Sequence, residues 1–346
     1  MEFGRRTLRS LGLLVAPLAL LCSLGAPASG LALESFSVLT YNVAGLPFGF
    51  SSSTPEVNNA LISPRLNGFD LVGVQEDFGF HADLTSQLNH PFQSVKDTTD
   101  SADLVNLVGF SPGLGDGLNR FSRSPFAELT RVTWNSCFGL LTNASDCLAP
   151  KGFSVARHEF GPGAFVDVYN LHADAGGAPE DESTRRAQLL QLSAFIQTHS
   201  DGQAVIVLGD TNSRYTSAGD ILPRLLDQTG LRDAWVELTR HGTHPEVGPK
   251  LAGCVADGLS SGECERIDKI FFRSGGNVEL RPFDYRVEHD LFLDAAGQPL
   301  SDHEPVSVHF AISTVPEPSA LLLLCFGLLA LARRPMYRRL TTHASL

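Results

Sequence analysis

The chain has 346 residues, of which 26 are lysine or arginine and 38 are aspartate or glutamate, so its formal net charge is −12. With 43% hydrophobic residues, the composition excludes a wholly disordered chain, a collagen and a coiled coil. The acidic balance disfavours a protein that coats DNA or RNA, because such a protein needs a basic face. A nuclease that binds phosphate groups through metal ions is not excluded by this charge.

The first 28 residues, 1–28, predict a secretory signal peptide. Arg5, Arg6 and Arg9 precede an apolar run over residues 11–24, and Ala26-Pro27-Ala28 provides small residues for a cleavage site. A buried N-terminal helix is the weaker interpretation, since the charges, the apolar run and the cleavage pattern occur in the order that export requires. We therefore expect processing by a signal peptidase and a secreted or cell-envelope location.

Interspersed strand and helix patterns predict a layered α/β domain over residues 34–312. The predicted strands are Phe36–Tyr41, Leu71–Val74, Ala164–Leu171, Ala204–Leu208, Ile267–Phe272 and Val306–Phe310. The predicted helices are Thr184–Thr198, Asp220–Gln228 and a weaker Phe80–Leu88. The stretches Asn89–Phe121 and Thr239–Gly262 have loop-like compositions, and the first is expected to hold a strand or two.

The cysteines predict disulfides. One lies in the leader and one in the C-terminal tail, and the others are Cys137, Cys147, Cys254 and Cys264. Four cysteines in an exported domain allow three pairings. Cys137–Cys147 with Cys254–Cys264 is the simplest, since both bonds close short loops of equal spacing. A zinc site is the alternative, although no paired C-x-x-C occurs.

Residues 315–346 carry a distinctive tail. Pro316-Glu317-Pro318 precedes an apolar run over residues 320–332, and arginines follow over residues 333–339. The apolar run is shorter than the ~20 residues that cross a bilayer untilted. The order of these parts resembles the PEP-CTERM sorting tail of Gram-negative bacteria, which implies cleavage by an exosortase-type enzyme. A plain tail anchor is the alternative.

Removal of both ends makes the predicted mature chain more acidic. The leader carries three arginines and one glutamate, and the tail carries four arginines and one glutamate. The remainder has 19 basic and 36 acidic residues, a net charge of −17. Long-range electrostatics would repel a polyanion from such a protein at low salt.

Polar side chains lie at the ends of the predicted strands. They are Asn42, Glu76, His172, Asp210 with Asn212, Asp268, and Asp302 with His303. Ligands of layered α/β domains bind at strand ends, where side chains from separate segments converge. Taken singly, an aspartate after a strand is more often a turn or helix-cap residue. Taken together, these residues predict one polar cleft.

These residue types indicate a particular chemistry. Glu76, Asp210 and Asp302 offer hard oxygen ligands, which suit Mg²⁺, Mn²⁺ or Ca²⁺ rather than zinc. A histidine beside a carboxylate can act as a general base for water. Hydrolysis of a phosphate ester needs both a divalent metal and an oriented base, so the set predicts that reaction.

Six sequence blocks extend this prediction to a family. They are Thr40-Tyr41-Asn42-Val43, Gly73-Val74-Gln75-Glu76, Asn170-Leu171-His172, Leu208-Gly209-Asp210-Thr211-Asn212, Arg266-Ile267-Asp268-Lys269-Ile270-Phe271 and Ser301-Asp302-His303-Glu304-Pro305-Val306. In this order they resemble the endonuclease/exonuclease/phosphatase superfamily over residues 36–310. The resemblance implies a four-layered α/β sandwich, in which two packed, mainly antiparallel β-sheets are flanked by helices. It also implies metal-dependent phosphodiester cleavage.

The resemblance further implies a role for each matched residue. Glu76 would be the main metal ligand, assisted by Asn42, and Asp302 would bind the metal directly or support its ligands. Asp210 and Asn212 would position the nucleophile and the phosphate, and His172 would stabilise phosphate charge or help the leaving group. His303 would be the general base, oriented by Asp268.

Within the superfamily the chain most resembles the secreted neutral sphingomyelinases. The blocks that carry this likeness are Leu46-Pro47, Cys147-Leu148-Ala149-Pro150-Lys151-Gly152-Phe153, His172-Ala173-Asp174-Ala175 and Arg186-Ala187-Gln188-Leu189. This branch implies a phospholipid substrate, transient contact with a membrane surface and a monomeric enzyme.

Two other functions remain as alternatives. One is an extracellular nuclease of the deoxyribonuclease I kind, and the other is an inactive module that binds the cell envelope. A basic stripe beside the cleft would favour the nuclease, whereas exposed apolar residues at its rim would favour the lipid enzyme. The inactive module is disfavoured because no matched catalytic position is substituted.

Overall fold

The computed structural model describes residues 34–46, 54–248 and 264–314. The predicted signal peptide, the sorting tail and Cys254 lie outside the described residues. Leu33–Thr314 form one compact unit. Among the described residues, no helix has the length and apolar character needed to cross a membrane.

Two β-sheets form the centre of the described domain. The strands are β1 Glu34–Asn42, β2 Leu71–Gln75, β3 Phe92–Gln93, β4 Asn119–Ser122, β5 Phe126–Thr133, β6 Gly152–Glu159, β7 Phe165–His172, β8 Val205–Asp210, β9 Arg232–Asp233, β10 Asp268–Arg273, β11 Val278–Val287 and β12 Val306–Thr314. Across the described residues the strand orders are β11-β12-β1-β2-β4-β3 and β5-β6-β7-β8-β10-β9. Only β1 with β2 and β7 with β8 are parallel neighbours, one pair in each described sheet.

Helices lie between and after these strands. The α-helices are α1 Pro55–Ile62, α2 His81–Thr85, α3 Ala102–Val108, α4 Pro179–His199, α5 Leu222–Thr229 and α6 Ala234–Thr239. Short 3-10 helices span Ser63–Gly68, Asp146–Leu148 and His289–Phe292. The longest, α4, begins with a proline and three acidic residues, and Asp181 accepts a hydrogen bond from the backbone N–H of Ala178 at 2.8 Å. Such residues favour a helix start.

The central core lies between the two sheets. It joins Val38 of β1 and Val308 of β12 to Val168 of β7, Ile206 of β8 and Ile270 of β10. Each fully buried aliphatic side chain of this kind contributes roughly 1.5–3 kcal/mol. The two sheets therefore pack face to face.

The outer face of each sheet is covered by helices. Leu189 and Leu192 of α4 pack with Val207 of β8, while Ile62 of α1 packs with Leu39 of β1. Because successive side chains of a strand point to opposite faces, β1 can supply Val38 to the central core and Leu39 to the outer one. The layers run helix, sheet, sheet, helix, which confirms the predicted α/β sandwich.

Every predicted strand and helix has a counterpart in the structure. The sequence analysis did not predict β5, β6, β9, β11, α1 or α6. It was also incomplete for Asn89–Phe121, which was expected to be a loop with a strand or two. It holds β3 and the start of β4, but also α3. This helix begins after Ser101, whose Oγ accepts a hydrogen bond from Leu104 N at 3.0 Å, and ends at Gly109 with φ +78°. Seven residues between loops are too few for a helical period to stand out in the sequence.

The disulfide Cys137–Cys147 is confirmed, with a Cα–Cα distance of 5.3 Å. Zinc ligation by this pair is thereby excluded, because a disulfide sulfur is not a thiolate ligand. Cys264 is also disulfide-bonded, and Cys254, the partner expected for it, lies outside the described residues.

Candidate active site

The strand register brings the predicted site residues to one end of both sheets. Asn42 pairs with Gln75 across β1 and β2, and His172 pairs with Asp210 across β7 and β8. Asp268, the first residue of β10, also pairs with Asp210. Residues far apart in sequence thus become neighbours at the ends of adjacent strands.

Asp210 lies at the centre of this group. Its Oδ2 accepts a hydrogen bond from Asn42 Nδ2 at 3.2 Å. The same oxygen is 3.5 Å from Nε2 of His172 and 3.6 Å from Nε2 of His303. A buried carboxylate between two imidazoles can hold both rings in a fixed orientation.

Glu76 follows β2 and faces the same group. Its Oε1 accepts a hydrogen bond from Asn42 Nδ2 at 3.0 Å and lies 3.8 Å from His172 Nε2. Its backbone φ of +56° is in the left-handed region, which costs energy for a residue with a side chain. The backbone carbonyl of Glu76 accepts a hydrogen bond from Gly45 N, and a Cβ on Gly45 would lie 2.5 Å from that oxygen. The backbone at Glu76 is therefore held by a hydrogen bond from residue 45, where only glycine fits.

His303 is held by a carboxylate on its other side. Its Nδ1 donates to Asp268 Oδ2 at 2.9 Å. Ser301 Oγ donates to the backbone carbonyl of Asn42 at 2.7 Å and accepts from His303 N at 3.2 Å. The loop that carries His303 is thus tied to the end of β1, and the Nε2 atom of the ring faces the polar group.

The two histidines have opposite pKa shifts. Burial lowers the pKa of His172 well below its usual value, and the positive charges of Lys151 and His303 add to that effect. Burial alone would also lower the pKa of His303, but the carboxylates of Asp268 and Asp210 outweigh it and hold the pKa well above its usual value. Burial raises the pKa of Asp210 to about 6, against the opposing charge of His303. Titratable groups whose pKa values are pushed apart are typical of acid–base sites.

Asn212 and Asp302 occupy less central positions. Asn212 N donates to Asp210 Oδ1 at 2.9 Å and its Nδ2 donates to the carbonyl of Ala173 at 3.0 Å. Asp302 is exposed, and its Oδ1 accepts from Ser301 Oγ at 3.4 Å. Contacts within the described region thus join seven of the eight predicted site residues, with Asp302 at the entrance.

A cavity of about 630 Å³ opens beside these residues. Glu76, Lys151, Asp302 and His303 line its polar end. The rest of its wall includes the apolar side chains of Leu46, Phe78, Leu104, Val108, Phe110, Pro112, Leu114 and Leu148. The site therefore joins a charged end to an apolar compartment.

The chain is similar to curated sphingomyelinases. A sphingomyelinase of Mycobacterium tuberculosis (strain ATCC 25618 / H37Rv) is 38% identical over 282 residues, which cover 80% of this chain and 52% of the relative. The chain thus spans about half the length of that relative. A putative neutral sphingomyelinase of Drosophila melanogaster is 25% identical over 297 residues, which cover 79% of this chain and 60% of the relative.

Solved structures share the fold. An endonuclease/exonuclease/phosphatase from Beutenbergia cavernae DSM 12333 is 17% identical with a TM-score of 0.55, covering 83% of this chain and 73% of that one. A beta toxin mutant from Staphylococcus aureus with bound magnesium ions is 17% identical with a TM-score of 0.52, covering 80% and 99%.

The chain is a sphingomyelinase homologue with the endonuclease/exonuclease/phosphatase fold. Residues 314–339 of this homologue also match the PEP-CTERM protein-sorting motif. The predicted resemblances of the domain and of the tail are both confirmed.

The acidic groups of the sphingomyelinase homologue fit a divalent cation. Glu76, Asp210 and Asp268 bring three carboxylates to one small region, and Asp268 Oδ1 is buried without a hydrogen-bond partner among the described residues. Buried negative charge needs compensation, and oxygen ligands suit Mg²⁺ or Ca²⁺. Asp210, Asp268 and His303 offer ligand atoms within 4.8 Å of one another, but His303 Nδ1 and Asp268 Oδ2 already share a hydrogen bond. Glu76 and Asp302 line the cavity and are the more available carboxylates, while the buried Asn42 amide donates to Glu76 and Asp210 and accepts from Ala44 N.

Lys151 is a site residue to which the sequence analysis assigned no role. Its Nζ lies 3.2 Å from Nε2 of His172 and forms a short ion pair with Asp146. Burial would lower the pKa of Lys151, but the carboxylates of Asp146 and Glu76 raise it. Lys151 belongs to one of the blocks shared with sphingomyelinases, and that block was the available signal.

A second missed group lies directly beneath the site. Gln75 Nε2 donates to Asn170 Oδ1 at 2.7 Å, and Asn170 Nδ2 donates to the carbonyls of Val74 and Asn119. A Cβ on Gly73 would lie 2.1 Å from a methyl carbon of Leu208, so the sheets approach most closely where glycine occurs. These amides link the two sheets under Asn42 and Glu76.

Proposed function

We propose that the chain is an exported, divalent-metal-dependent phosphodiesterase that releases the head group of a phospholipid, as a sphingomyelinase does. The observation that carries the proposal is the cavity, in which the carboxylate and histidine group opens directly into an apolar compartment. A phospholipid combines a charged phosphodiester with apolar chains, and the cavity combines surfaces for both.

The cavity wall favours a lipid over a nucleic acid. Lys151 is the only lysine or arginine among the described residues that line it, and that lysine is paired with Asp146. Nucleic-acid binding depends on several cations that neutralise successive phosphates. The net charge of the predicted mature chain is −17, which would further oppose a polyanion.

In the proposed reaction, water attacks phosphorus, and the bond from phosphorus to the lipid oxygen breaks. His303 accepts the proton of the attacking water at Nε2, and Asp268 holds the ring and stabilises the charge that forms. Asp210 and Asn212 position the water and the phosphate. A divalent cation held by Glu76, Asn42 and Asp302 would supply positive charge for the phosphate oxygens.

His172 and Lys151 complete the proposed site. His172 is held by Asp210 and lies beside Lys151, so it is placed to contact a phosphate oxygen or the leaving oxygen. A ring with a lowered pKa is neutral at pH 7 and can take part in a hydrogen bond without a permanent charge. The lipid oxygen leaves with the bond electrons and takes up a proton from solvent, and His303 returns its proton to solvent. The products are a phosphomonoester and an alcohol.

Export follows from the two ends of the chain. The leader predicts cleavage by signal peptidase, and the sorting motif predicts processing by an exosortase-type enzyme. We propose that the domain acts in the cell envelope or outside the cell, as a monomer.

The test is hydrolysis by the purified chain with Mg²⁺, on sphingomyelin vesicles and on plasmid DNA in parallel. Phosphocholine release by the wild type, and its loss in His303→Ala, would support the proposal. DNA nicking without phosphocholine release would assign the site to a nuclease. A His303→Ala protein that kept full activity would overturn the role of that histidine.

A further inference from the structure

Two segments at the cavity mouth expose apolar side chains. One is the last part of α3 with the loop after it, residues 104–114, and the other lies within the loop closed by the disulfide, residues 138–145. The exposed fractions of Phe110 and Leu141 are 63% and 61%, and those of Leu107, Val108 and Leu140 are between 38% and 45%. These five side chains are here named the apolar rim. Contiguous exposed apolar residues on a soluble domain indicate an interaction surface.

The first segment is fixed by polar contacts. Asp100 accepts hydrogen bonds from Gly113 N at 2.8 Å and Leu114 N at 2.6 Å. Lys96 Nζ donates to the carbonyls of the same two residues at 2.9 and 3.0 Å. The loop that carries Phe110 is therefore anchored at its far end, and the side chain is presented to solvent by a defined backbone.

The second segment is fixed to the first. The disulfide Cys137–Cys147 closes it, and the Asp103 carboxylate of α3 lies within 4.8 Å of both sulfurs. Ser101 Oγ donates to the carbonyl of Leu148 at 2.9 Å. The two segments therefore form one continuous edge of the cavity.

Within these bounds neither segment contains a charged residue, although the exposed Asp103 of α3 directly precedes the first one. Residues 104–114 and 138–145 hold no Asp, Glu, Lys or Arg, whereas the predicted mature chain has a net charge of −17. These two segments therefore offer no lysine or arginine that could bind a nucleic acid or an acidic protein. The net negative charge of the domain would repel an anionic membrane. The two apolar segments therefore fit a membrane surface that carries no net charge.

We propose that the apolar rim inserts into the surface of a zwitterionic phospholipid bilayer and opens the cavity directly onto it. The inference rests on the proposed lipid phosphodiesterase function. Val108 and Phe110 belong both to the rim and to the cavity wall, so the docking surface and the substrate path are continuous. A protein partner on the rim would close that entrance, whereas a bilayer supplies the substrate through it.

The test uses the double variant Leu107→Ser/Leu141→Ser in the full chain. Neither side chain lines the cavity, so catalysis on a soluble substrate is expected to be unchanged. The matched control is Phe283→Ser on β11, which is 54% exposed and lies outside both segments. Binding is measured by flotation with phosphatidylcholine/sphingomyelin vesicles, and hydrolysis is measured on those vesicles and on bis(p-nitrophenyl) phosphate.

We expect the double variant to lose at least about tenfold in vesicle affinity, because it lacks two leucine side chains that would transfer from water into the bilayer. Vesicle hydrolysis should fall in parallel, while hydrolysis of bis(p-nitrophenyl) phosphate should stay within about twofold of the wild type. The Phe283→Ser control should match the wild type in both assays. Vesicles that contain phosphatidylglycerol should bind the wild type less well at low salt.

Each contrary result has a distinct meaning. Unchanged vesicle binding in a folded double variant would overturn the docking proposal and leave the lipid phosphodiesterase intact. A wild type that binds vesicles but cleaves only DNA would overturn the proposed function instead. A wild-type dimer that the two substitutions convert to a monomer in sedimentation would show that the rim pairs two copies of the chain, which also overturns the proposal.

Discussion

His303 and Asp268 show how a single contact can set the chemistry of a residue. The 2.9 Å hydrogen bond holds the negative charge of Asp268 beside the ring, and this charge raises the pKa of His303 even though burial opposes the shift. A base must be neutral before it accepts a proton. The proposed reaction should therefore become faster as pH rises through a pKa above 6.5.

Asp268→Asn is expected to change both the rate and its pH dependence. Loss of the carboxylate lowers the pKa of His303, so the acidic limb of the kcat/KM profile should move to lower pH. The maximal rate should fall roughly 10²–10⁴-fold, since the ring loses its orientation and charge partner. Profiles measured at constant Mg²⁺ on a soluble phosphodiester provide the check.

The control for that experiment is Asp201→Asn, an exposed carboxylate before β8 and at the far end from the site. It should leave the profile unchanged. An acidic limb that stays in place in Asp268→Asn would show that another group titrates there.

Lys151→Met is expected to reduce both activity and stability. The variant removes the cation beside His172 and leaves the buried carboxylate of Asp146 without its partner. Breaking one side of a buried ion pair costs roughly 3–5 kcal/mol of unfolding free energy. Urea unfolding and initial rates on sphingomyelin vesicles measure the two effects.

The double variant Lys151→Met/Asp146→Asn separates the two roles of Lys151. It should recover much of the lost stability, because no buried charge remains unpaired, yet its activity should stay low. A double variant that regained activity together with stability would assign Lys151 a structural role only.

Among the larger elements, the loop after β8 and the segment before β10 are joined by a buried polar cluster. Glu265 accepts hydrogen bonds from Tyr215 N and from Thr216 Oγ1, and its Oε1 is 3.5 Å from Lys269 Nζ. That ammonium also lies 4.9 Å from the ring centre of Tyr215 and 3.9 Å from Asp233 Oδ2. The cluster connects the strand ends that carry Asp210 and Asp268.

Lys269→Met should destabilise the domain by roughly 3–5 kcal/mol, because two buried carboxylates lose their shared cation. The fall should be visible as a lower urea midpoint with an unchanged slope. Arg281→Met is the matched control, since its ion pair with Glu279 is exposed and should contribute less than about 1 kcal/mol. Equal effects in both variants would argue against a special contribution from the buried cluster.

At the scale of the whole domain, Glu34 and Thr314, the first and last described residues, lie at the opposite ends of β1 and β12 from the candidate site. β1 runs from Glu34 to Asn42 at the site, and its antiparallel neighbour β12 runs from Val306 near His303 to Thr314. The residues at which the described domain begins and ends are therefore distant from the candidate active site.

Metal binding should also be visible in the whole domain. Mg²⁺ that binds only the folded state raises its stability, by about 2.7 kcal/mol at 100 times the Kd. We expect EDTA to abolish hydrolysis and to lower Tm, and added Mg²⁺ to restore both. Glu76→Gln should lose most of the Tm response, while Glu279→Gln on β11 should keep it. A full response in Glu76→Gln would place the cation elsewhere.

Residue types and their order were sufficient to predict the layered α/β class, and they nominated eight site residues, seven of which the described structure joins by contacts. Strands with Val, Ile and Phe followed by Asn, Asp or His produce a local signal, and six such blocks in order identify a superfamily. One disulfide was predicted as well, since a short loop between two cysteines is visible in the chain. Lys151, Gln75 and Asn170 lie within the quoted blocks, but their residue types alone indicated no role for them, and α3 showed no helical period.

The tertiary structure alone decided which surfaces meet at the site. Lys151 reaches His172 because the antiparallel register pairs Phe153 of β6 with Leu171 of β7 and so brings the residue before β6 to the end of β7. Residues 104–114 line the cavity because α3 packs beside the disulfide. These contacts join segments that are distant in sequence, so no local pattern encodes them. The amino-acid sequence alone predicted phosphodiester chemistry. The apolar wall of the cavity, which favours a lipid, forms only when separate segments pack together.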